Sequence, residues 1–368
     1  MASSKNIRDF EIQVIDDPGS LDALGDALRE FDRKLMPETP YLTTDFLVPW
    51  LVYASSLANI HTVLLWKNKQ VVAMLPLISD KVKRGPFTIP RLGFPTQVGG
   101  HPPSFDFRYE EKDAALAAEA LLSVFSESGL HWKVLSLRHL SGNSAMLGIL
   151  PDMCRARGLA YSWFPTRRES YLVLDEDWDS YLARLGTRIR QQMNRGLRRV
   201  QESDGWEFVH EWPDTDSVEE LLERYLAVIK GSWKSYQADD KAFVALLEDV
   251  MRSFARRGDL LLSWLRGPGA DGAGNIQLRR SGVLTSFHIA YMEGCPIAGA
   301  GTLLKGSAIS YAYEAGLAIY DFSTYAGHIH RWSTKYRNTA NVYITKKTPA
   351  GRLIQRQMAK REANLEPE

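Results

Sequence analysis

The sequence predicts an α/β protein in two lobes, each a mixed, largely antiparallel sheet flanked by helices. Three observations lead there. The chain has 368 residues, too many for one ordinary domain of about 100–200 residues. Apolar residues recur with the helical period in some segments and with the two-residue strand period in others, in alternation along the chain. Residues 286–332 then read as strand, glycine-rich turn, helix and strand, with a histidine- and tyrosine-bearing tail.

Composition bounds the function. Apolar residues make up 45% and charged residues 24%, the proportions of a soluble globular protein. The net charge of +1 gives no whole-chain field to drive nucleic-acid or membrane binding. No apolar run approaches the ~20 residues of a membrane helix, so no membrane insertion is expected. The polar start lacks a signal-peptide core. Cys154 and Cys295 stand far apart and offer no metal-type spacing. The expected compartment is a reducing cytoplasm, and no metal is expected.

The first lobe spans residues 1–168. A short strand covers Phe10–Ile15, and Ser20 caps a helix through Leu21, Leu24, Leu28 and Phe31. A second helix covers Thr44–Ser55. Two strands, Ile60–Trp66 and Gln70–Ile78, flank Lys67-Asn68-Lys69, a hairpin signal. Phe87–Val98 carries prolines that suit a sheet edge. Ala114–Phe125 is a helix, Val134–Leu140 a strand, and Ser144–Arg157 a helix closed by Gly158. Tyr161–Trp163 and Ser170–Leu174 add strand. Asp106 and Arg108 either line a site or lie on plain surface.

The second lobe spans residues 169–368. Trp178–Leu185 and Gly186–Glu202 are helices. The second sets Ile189, Met193, Leu197 and Val200 on one face and Arg188, Arg190, Arg195, Arg198 and Arg199 opposite. That face is either a solvated basic surface or a contact for phosphates. Ser217 and Glu220 form a capping-box pattern for a helix reaching Trp233. Asp239–Arg256 is helical. Three strands follow, Leu260–Arg266, Asn275–Arg280 and Val283–Tyr291, the first two joined by an exposed, flexible glycine-rich link, 267–274. The turn Pro296-Ile-Ala-Gly-Ala-Gly-Thr302 feeds a helix marked by Leu304, Ala308, Tyr311 and Ala315 and stopped at Gly316. Leu317–Phe322 is a buried strand, Asn341–Lys347 another, and Gly351–Glu362 a terminal helix. A glycine-rich turn at a helix N-terminus presents backbone N–H groups and a positive dipole to an anion. That makes Gly299, Ala300, Gly301 and Thr302 a pyrophosphate cradle, or else an ordinary helix start.

This order resembles the GCN5-related N-acetyltransferase (GNAT) fold in tandem lobes. More narrowly it resembles the two-lobed bacterial acetyltransferases of cellulose-biosynthesis loci. The arginine-rich opening helix, Ile229-Lys-Gly-Ser-Trp233, Arg257-Gly-Asp-Leu, Ala300-Gly-Thr-Leu-Leu304 and Tyr320-Asp-Phe322 through Arg331-Trp332 carry that resemblance. It covers residues 170–350 and, more loosely, 10–165, where the family has a degenerate copy of the fold. The fold's pyrophosphate pattern keeps both glycines here but has Pro296 at its first position. The family's Asp-Phe-Gly segment has become Asp321-Phe-Ser323, and His330 stands near the family's lysine.

The resemblance implies an acyl-CoA co-substrate, acetyl-CoA first. Its pantetheine lies between splayed strands Val283–Tyr291 and Leu317–Phe322, beside Ile289 and Tyr291. The acceptor is then a small molecule or a saccharide, receiving the acyl group on an amine or hydroxyl. Transfer needs a held carbonyl, a proton acceptor and an acid for the leaving thiolate. His288 alternates away from Phe287, Ile289 and Tyr291 and suits a base or a structural histidine. Asp321 orients a histidine or caps the next turn. Tyr325 as acid has precedent in the fold, and His328 lies one helical step from it. Trp233, Glu293 and His330 are candidate acceptor contacts. One alternative keeps the fold and makes aminoacyl-tRNA the donor, as in peptidoglycan-bridge transferases, with the arginine face gripping RNA. A second is a non-catalytic accessory protein.

Overall fold

A computed structural model describes residues 3–7, 10–84, 87–95, 104–127, 132–324, 328–333 and 335–364. In chain order the elements are β1 (Ser3–Ile7), β2 (Phe10–Ile15), α1 (Pro18–Ala23), α2 (Gly25–Leu35), α3 (Thr44–Ser55), β3 (Asn59–Ile60), β4 (Thr62–Lys67), β5 (Gln70–Leu75), β6 (Ile78–Arg84), β7 (Phe87–Gly93), β8 (Arg108–Tyr109), α4 (Ala114–Glu127), β9 (Val134–Ser141), α5 (Met146–Ala156) and β10 (Leu159–Val173). There follow α6 (Trp178–Arg184), α7 (Thr187–Glu202), β11 (Glu207–Glu211), α8 (Val218–Lys230), α9 (Tyr236–Asp239), α10 (Lys241–Ala255), β12 (Leu260–Arg266), β13 (Asp271–Arg280), β14 (Val283–Tyr291), α11 (Ala300–Glu314), β15 (Ile319–Asp321), β16 (Lys335–Lys346) and α12 (Pro349–Asn364). Among the described residues, no helix is long and apolar enough to cross a membrane.

The chain divides into two compact units. The first holds residues 1–37, 41–169 and 337–368, the second 38–40 and 170–336. The division after Glu169 lies one residue from the boundary read in the sequence. The C-terminal segment, expected in the second lobe, belongs with the first. The reason is register: β16 pairs with β9 from Thr339↔Ser141 to Ile344↔Leu135.

In the first unit one antiparallel sheet runs β1-β2-β4-β5-β8. The β4–β5 hairpin turns on Asn68 and Lys69, at φ 50° and 63°, the left-handed pair a two-residue hairpin needs. The unit's other strands run β16-β9-β7-β6-β3, with only β7 and β9 parallel. Leu28, Phe31, Leu47, Leu51, Ala117 and Leu121 pack on Val63, Leu65, Ala73 and Leu75 in one buried cluster. Inside that core lies a charge pair. Arg108, wholly buried, bonds to Asp32, and Asp32 also accepts from the Thr44 N–H at 2.7 Å. Asp32 thus neutralises Arg108 and caps α3 at once. Arg108, left open in the sequence as site or surface, is a buried structural residue.

The second unit is a sheet of order β11-β12-β13-β14-β15-β10. Its first four strands form an antiparallel meander. β15 runs parallel to β14 because α11 crosses between them, and the end of β10 pairs antiparallel to β15. Helices α7 and α11 cover one face, where Ile189, Met193, Leu303 and Leu304 meet Leu261, Leu265, Leu284 and Tyr320. Helix α8 covers the other, with Tyr225 against Trp264, ring centroids 6.0 Å apart.

Two local readings are corrected here. Ser217 does not cap α8. Its backbone is already in the helical region, and its N–H and hydroxyl both donate to Asp214, at 3.0 and 2.7 Å. The 267–274 link is not all loop, since β13 begins at Asp271. Its glycines admit rings: a Cβ on Gly274 would lie 2.8 Å from Tyr225.

Replacing Arg108 with Met keeps the volume and leaves Asp32 buried without its cation. Urea unfolding of the Arg108→Met protein is expected to show a loss of about 3–5 kcal/mol; a loss below about 1 kcal/mol would mean the pair contributes little net stability.

Candidate active site

The site begins with a slip in one strand. Between Ile276 and Gln277 the β13–β14 register shifts, so that β14 accommodates one extra residue, Phe287. A bulge of this kind re-aims the side chains beyond it. Ser286 faces α11, donating to Asn275 Oδ1 at 3.0 Å. Plain alternation would put His288 on that same face. The extra residue sends it to the other, opposite Ile276, where it meets the rings of Tyr225 and Phe243 at 5.7 and 5.5 Å.

β14 also outruns β15. Their pairing covers Val283↔Ile319, Leu284↔Tyr320 and Thr285↔Asp321, while β14 continues to Tyr291. β15 ends at Asp321, so β14 runs past it from Ser286 to Tyr291. At its far end stands the glycine turn. Gly299 is the N-cap of α11 at φ 81°, ψ 23°, a left-handed geometry that disfavours a side chain. Among the described residues no side chain caps this end, so the first N–H groups, at Ala300 and Gly301, are left for a ligand or water. Gly299, Gly301 and Thr302 reach the surface, while Ala300 is buried. Tyr291 is 42% exposed, and a Cβ on Gly301 would lie 2.8 Å from its ring. Helix α11 ends as its sequence foretold: Gly316 has φ 65°, and the N–H groups of Gly316 and Leu317 close onto Tyr313 and Ala312.

The half-buried His288 is held on both ring nitrogens. Nδ1 lies 2.7 Å from Tyr225 Oη, and Nε2 lies 3.1 Å from Gln237 Oε1 and 3.4 Å from Lys234 Nζ. The Tyr225 hydroxyl, which faces Nδ1, also donates to the His288 backbone carbonyl at 2.8 Å. Burial first, then the Lys234 charge, pushes the His288 pKa well below the usual histidine value. Lys234 donates to the Ile289 carbonyl at 2.8 Å, and burial lowers its pKa to about 8. The neighbouring Trp233 is 58% exposed, its ring 5.5 Å from the ammonium. Glu293, exposed, is tied to the same region by its N–H, which donates to the Gly231 carbonyl at 2.7 Å.

The structure thus brings His288, Trp233 and Glu293 together, and Tyr291 with Gly301. The remaining candidates have other partners. Asp321 is buried and accepts from the Ser323 N–H at 2.8 Å, the capping alternative of its two readings. Ser323 sits at φ 53° with its hydroxyl buried and unbonded. It keeps the left-handed turn where the resembled family has glycine. His330 Nδ1 lies 3.2 Å from Tyr336 Oη. His328 is exposed beside the Arg331 segment. Tyr325 falls outside the described residues. Sequence reasoning missed Lys234, Gln237 and Tyr225. Only Tyr225 left a trace, on the apolar face of α8.

Comparison with known proteins bears on this geometry. Residues 187–333 match the family pattern of the Acetyltransferase (GNAT) domain. The match covers less than half of the chain and likens this stretch to a GNAT acetyltransferase domain. The protein is accordingly a transferase of acyl groups. No curated protein sequence matches the chain. Among solved structures the chain is similar in fold to FemX, at 12% identity and TM-score 0.53, covering 90% of this chain and 98% of that one. It is also similar to the C-terminal domain of a protein assigned as lysylphosphatidylglycerol synthetase from Agrobacterium fabrum. That match has 13% identity and TM-score 0.54, and covers 92% and 96% of the two chains.

Ser323→Gly removes both the left-handed strain and the unbonded hydroxyl while keeping the bond to Asp321. Thermal and urea unfolding should show a gain of about 1 kcal/mol; a loss would show that the serine side chain stabilises the turn.

Proposed function

We propose that the GNAT domain takes an acyl group, acetyl first, from acyl-CoA. It delivers that group to an amine or hydroxyl of a small-molecule or saccharide acceptor in the cytoplasm. One observation carries the reading. The N-terminus of α11, which no side chain caps among the described residues, lies against Tyr291 at the end of β14, and β14 runs on past the last residue of β15. The first supplies N–H groups and a dipole for a pyrophosphate, the second an extended backbone edge for the pantetheine arm. The arginine-rich α7 and the Ile229–Trp233 segment support the narrower placement among two-lobed bacterial acetyltransferases of cellulose-biosynthesis loci.

In the proposed reaction the acceptor nitrogen attacks the thioester carbonyl. A C–N bond forms, the C–S bond breaks, and CoA leaves as its thiolate, which takes a proton from solvent as the base returns the acceptor's proton there. The proton lost by the nitrogen passes to the His288–Lys234 pair. His288 is neutral through the physiological range, and Lys234, with its pKa brought down to about 8, is the member that changes charge near neutrality. Trp233, beside the ammonium and widely exposed, offers an apolar face to a sugar or ring.

A second reading makes aminoacyl-tRNA the donor. It rests on α7, where Arg188, Arg195 and Arg199 fall on one stripe with Gln192, in steps of four, three and four. Gln192 Nε2 would lie 3.0 Å from a Cβ on Gly299, so the stripe passes the cradle. Among the described residues, no carboxylate pairs with these three arginines. RNA binding would then weaken steeply with salt.

Calorimetric titration separates the two donors. The wild-type protein should bind CoA and acetyl-CoA, and Gly299→Val should bind neither detectably. Binding of aminoacyl-tRNA with no binding of CoA would overturn the first reading in favour of the second.

The proton pair is tested by rate. His288→Ala and Lys234→Met should each lower turnover by about 10²–10⁴-fold with CoA affinity unchanged. A lysine pKa near 8 leaves the amine neutral above that pH, so wild-type turnover should rise with pH through about 8. Lys234→Met should lack that limb. Wild-type turnover and pH profile in both variants would remove the pair from the mechanism.

A further inference from the structure

Lys305 lies in the second turn of α11 and is 8% exposed. Among the described residues, nothing hydrogen-bonds its ammonium and no carboxylate pairs with it. A buried cation without a counter-charge is unfavourable and is rarely left so in a folded core. The groups around it make matters worse. A Cβ on Gly306 would lie 3.1 Å from the Trp332 ring, so the Arg331–Trp332 segment crosses α11 beside Lys305. The Trp332 N–H closes on the Ile329 carbonyl at 2.8 Å, a turn that keeps His328 and Arg331 on the same short segment. Arg331 is exposed and, among the described residues, has no carboxylate partner. Burial and then Arg331 lower the Lys305 pKa to about 8, and burial, then Lys305 and Arg331, lower that of His328.

Direction follows from helix geometry. Residues four and three apart share a face, so Lys305 stands below Gly301 and Thr302. Side chains on a helix lean toward its N-terminus, which carries the Lys305 ammonium up toward the uncapped turn at Gly299. Two cations and a histidine therefore lie within electrostatic reach of one another on this side of α11.

We propose that Lys305, Arg331 and His328 form a phosphate-binding site one helical turn inside the Gly299 cradle, with the ligand's phosphate as the missing counter-charge. The proposal deepens the donor-site reading and rests on it for the direction from which the phosphate enters. The phosphate belongs either to the donor nucleotide or to a nucleotide-linked acceptor.

Calorimetry on the full chain distinguishes these, using inorganic pyrophosphate, CoA and UDP-N-acetylglucosamine as probes. Lys305→Met should weaken pyrophosphate binding at least tenfold. The exposed Arg331→Gln, which has no folding role to lose, should weaken it severalfold. A parallel loss with CoA alone assigns the phosphate to the donor, and one with the UDP-sugar assigns it to the acceptor. Lys305-dependent binding of pyrophosphate with no binding of CoA supports the phosphate site while sinking the acyl-CoA reading. Ligand-free Lys305→Met protein should also melt higher than wild type, because an uncompensated buried charge has gone. Unchanged affinity for every probe in both variants, a wild-type protein that binds none, or a lower melting temperature for ligand-free Lys305→Met would each overturn the proposal.

Discussion

One extra residue in β14 sets the geometry on which the rest of the second unit depends. Before Phe287 the strand sends Leu284 and Ser286 toward α11. After it, Ile289 and Tyr291 face α11 while His288 turns to α8 and α10. A single strand end thereby serves two sides of the sheet. The α11 side receives Tyr291 over Gly301 and the helix N-terminus. The opposite side receives the histidine with Tyr225, Gln237 and Lys234. Without the bulge, His288 would project into the packed interface of Leu303 and Leu304, and no polar group could approach the strand from α9.

Polar side chains inside this unit are arranged to hold the sheet still around that point. His210 is bonded by Ser263 and Ser307, at 2.8 and 2.9 Å, linking β11, β12 and α11. Ser263 continues to Gln277 at 2.6 Å. Ser286 reaches Asn275, and Asn275 reaches Tyr320 of β15 at 3.4 Å. Such chains demand one register of strand against strand, because a one-residue slip would bury each group unsatisfied. The Ser286–Asn275–Tyr320 chain sits at the end of the stretch where β14 and β15 are paired, and so ties β13, β14 and β15 together there.

Much of the fold was legible where a single period decides it. Thr44–Ser55, Leu260–Arg266 and Val283–Tyr291 have in the structure the bounds their apolar patterns give. Gly316 and the Asn68–Lys69 turn announce themselves by conformation. What stayed hidden depends on partners distant in sequence. No local pattern marks a bulge whose cause is the register with β13. The polar run near Thr166 hid the continuity of β10, which forms one strand from Leu159 to Val173 where two were expected. The glycines at 272 and 274 read as linker, though Trp206 and Tyr225 are what they accommodate. In the candidate site, the glycine turn at the head of α11 was visible because residue type and position agree. Lys234 and Lys305 were not, since a lysine signals burial only through the groups packed over it.

The position of β16 has a consequence for how the chain comes together during synthesis. The first unit contains both the earliest residues and residues 337–368, and its β9 strand lies between β7 and β16. Until β16 leaves the ribosome, β9 presents an unpaired edge of Leu135, Leu137 and Leu140, while every strand and helix of the intervening unit is already available. The second unit, contiguous apart from a three-residue excursion, can therefore close first. The N-terminal unit is the late folder despite its early start, and its exposed β9 edge is the surface at which a chaperone, or another nascent chain, has time to bind.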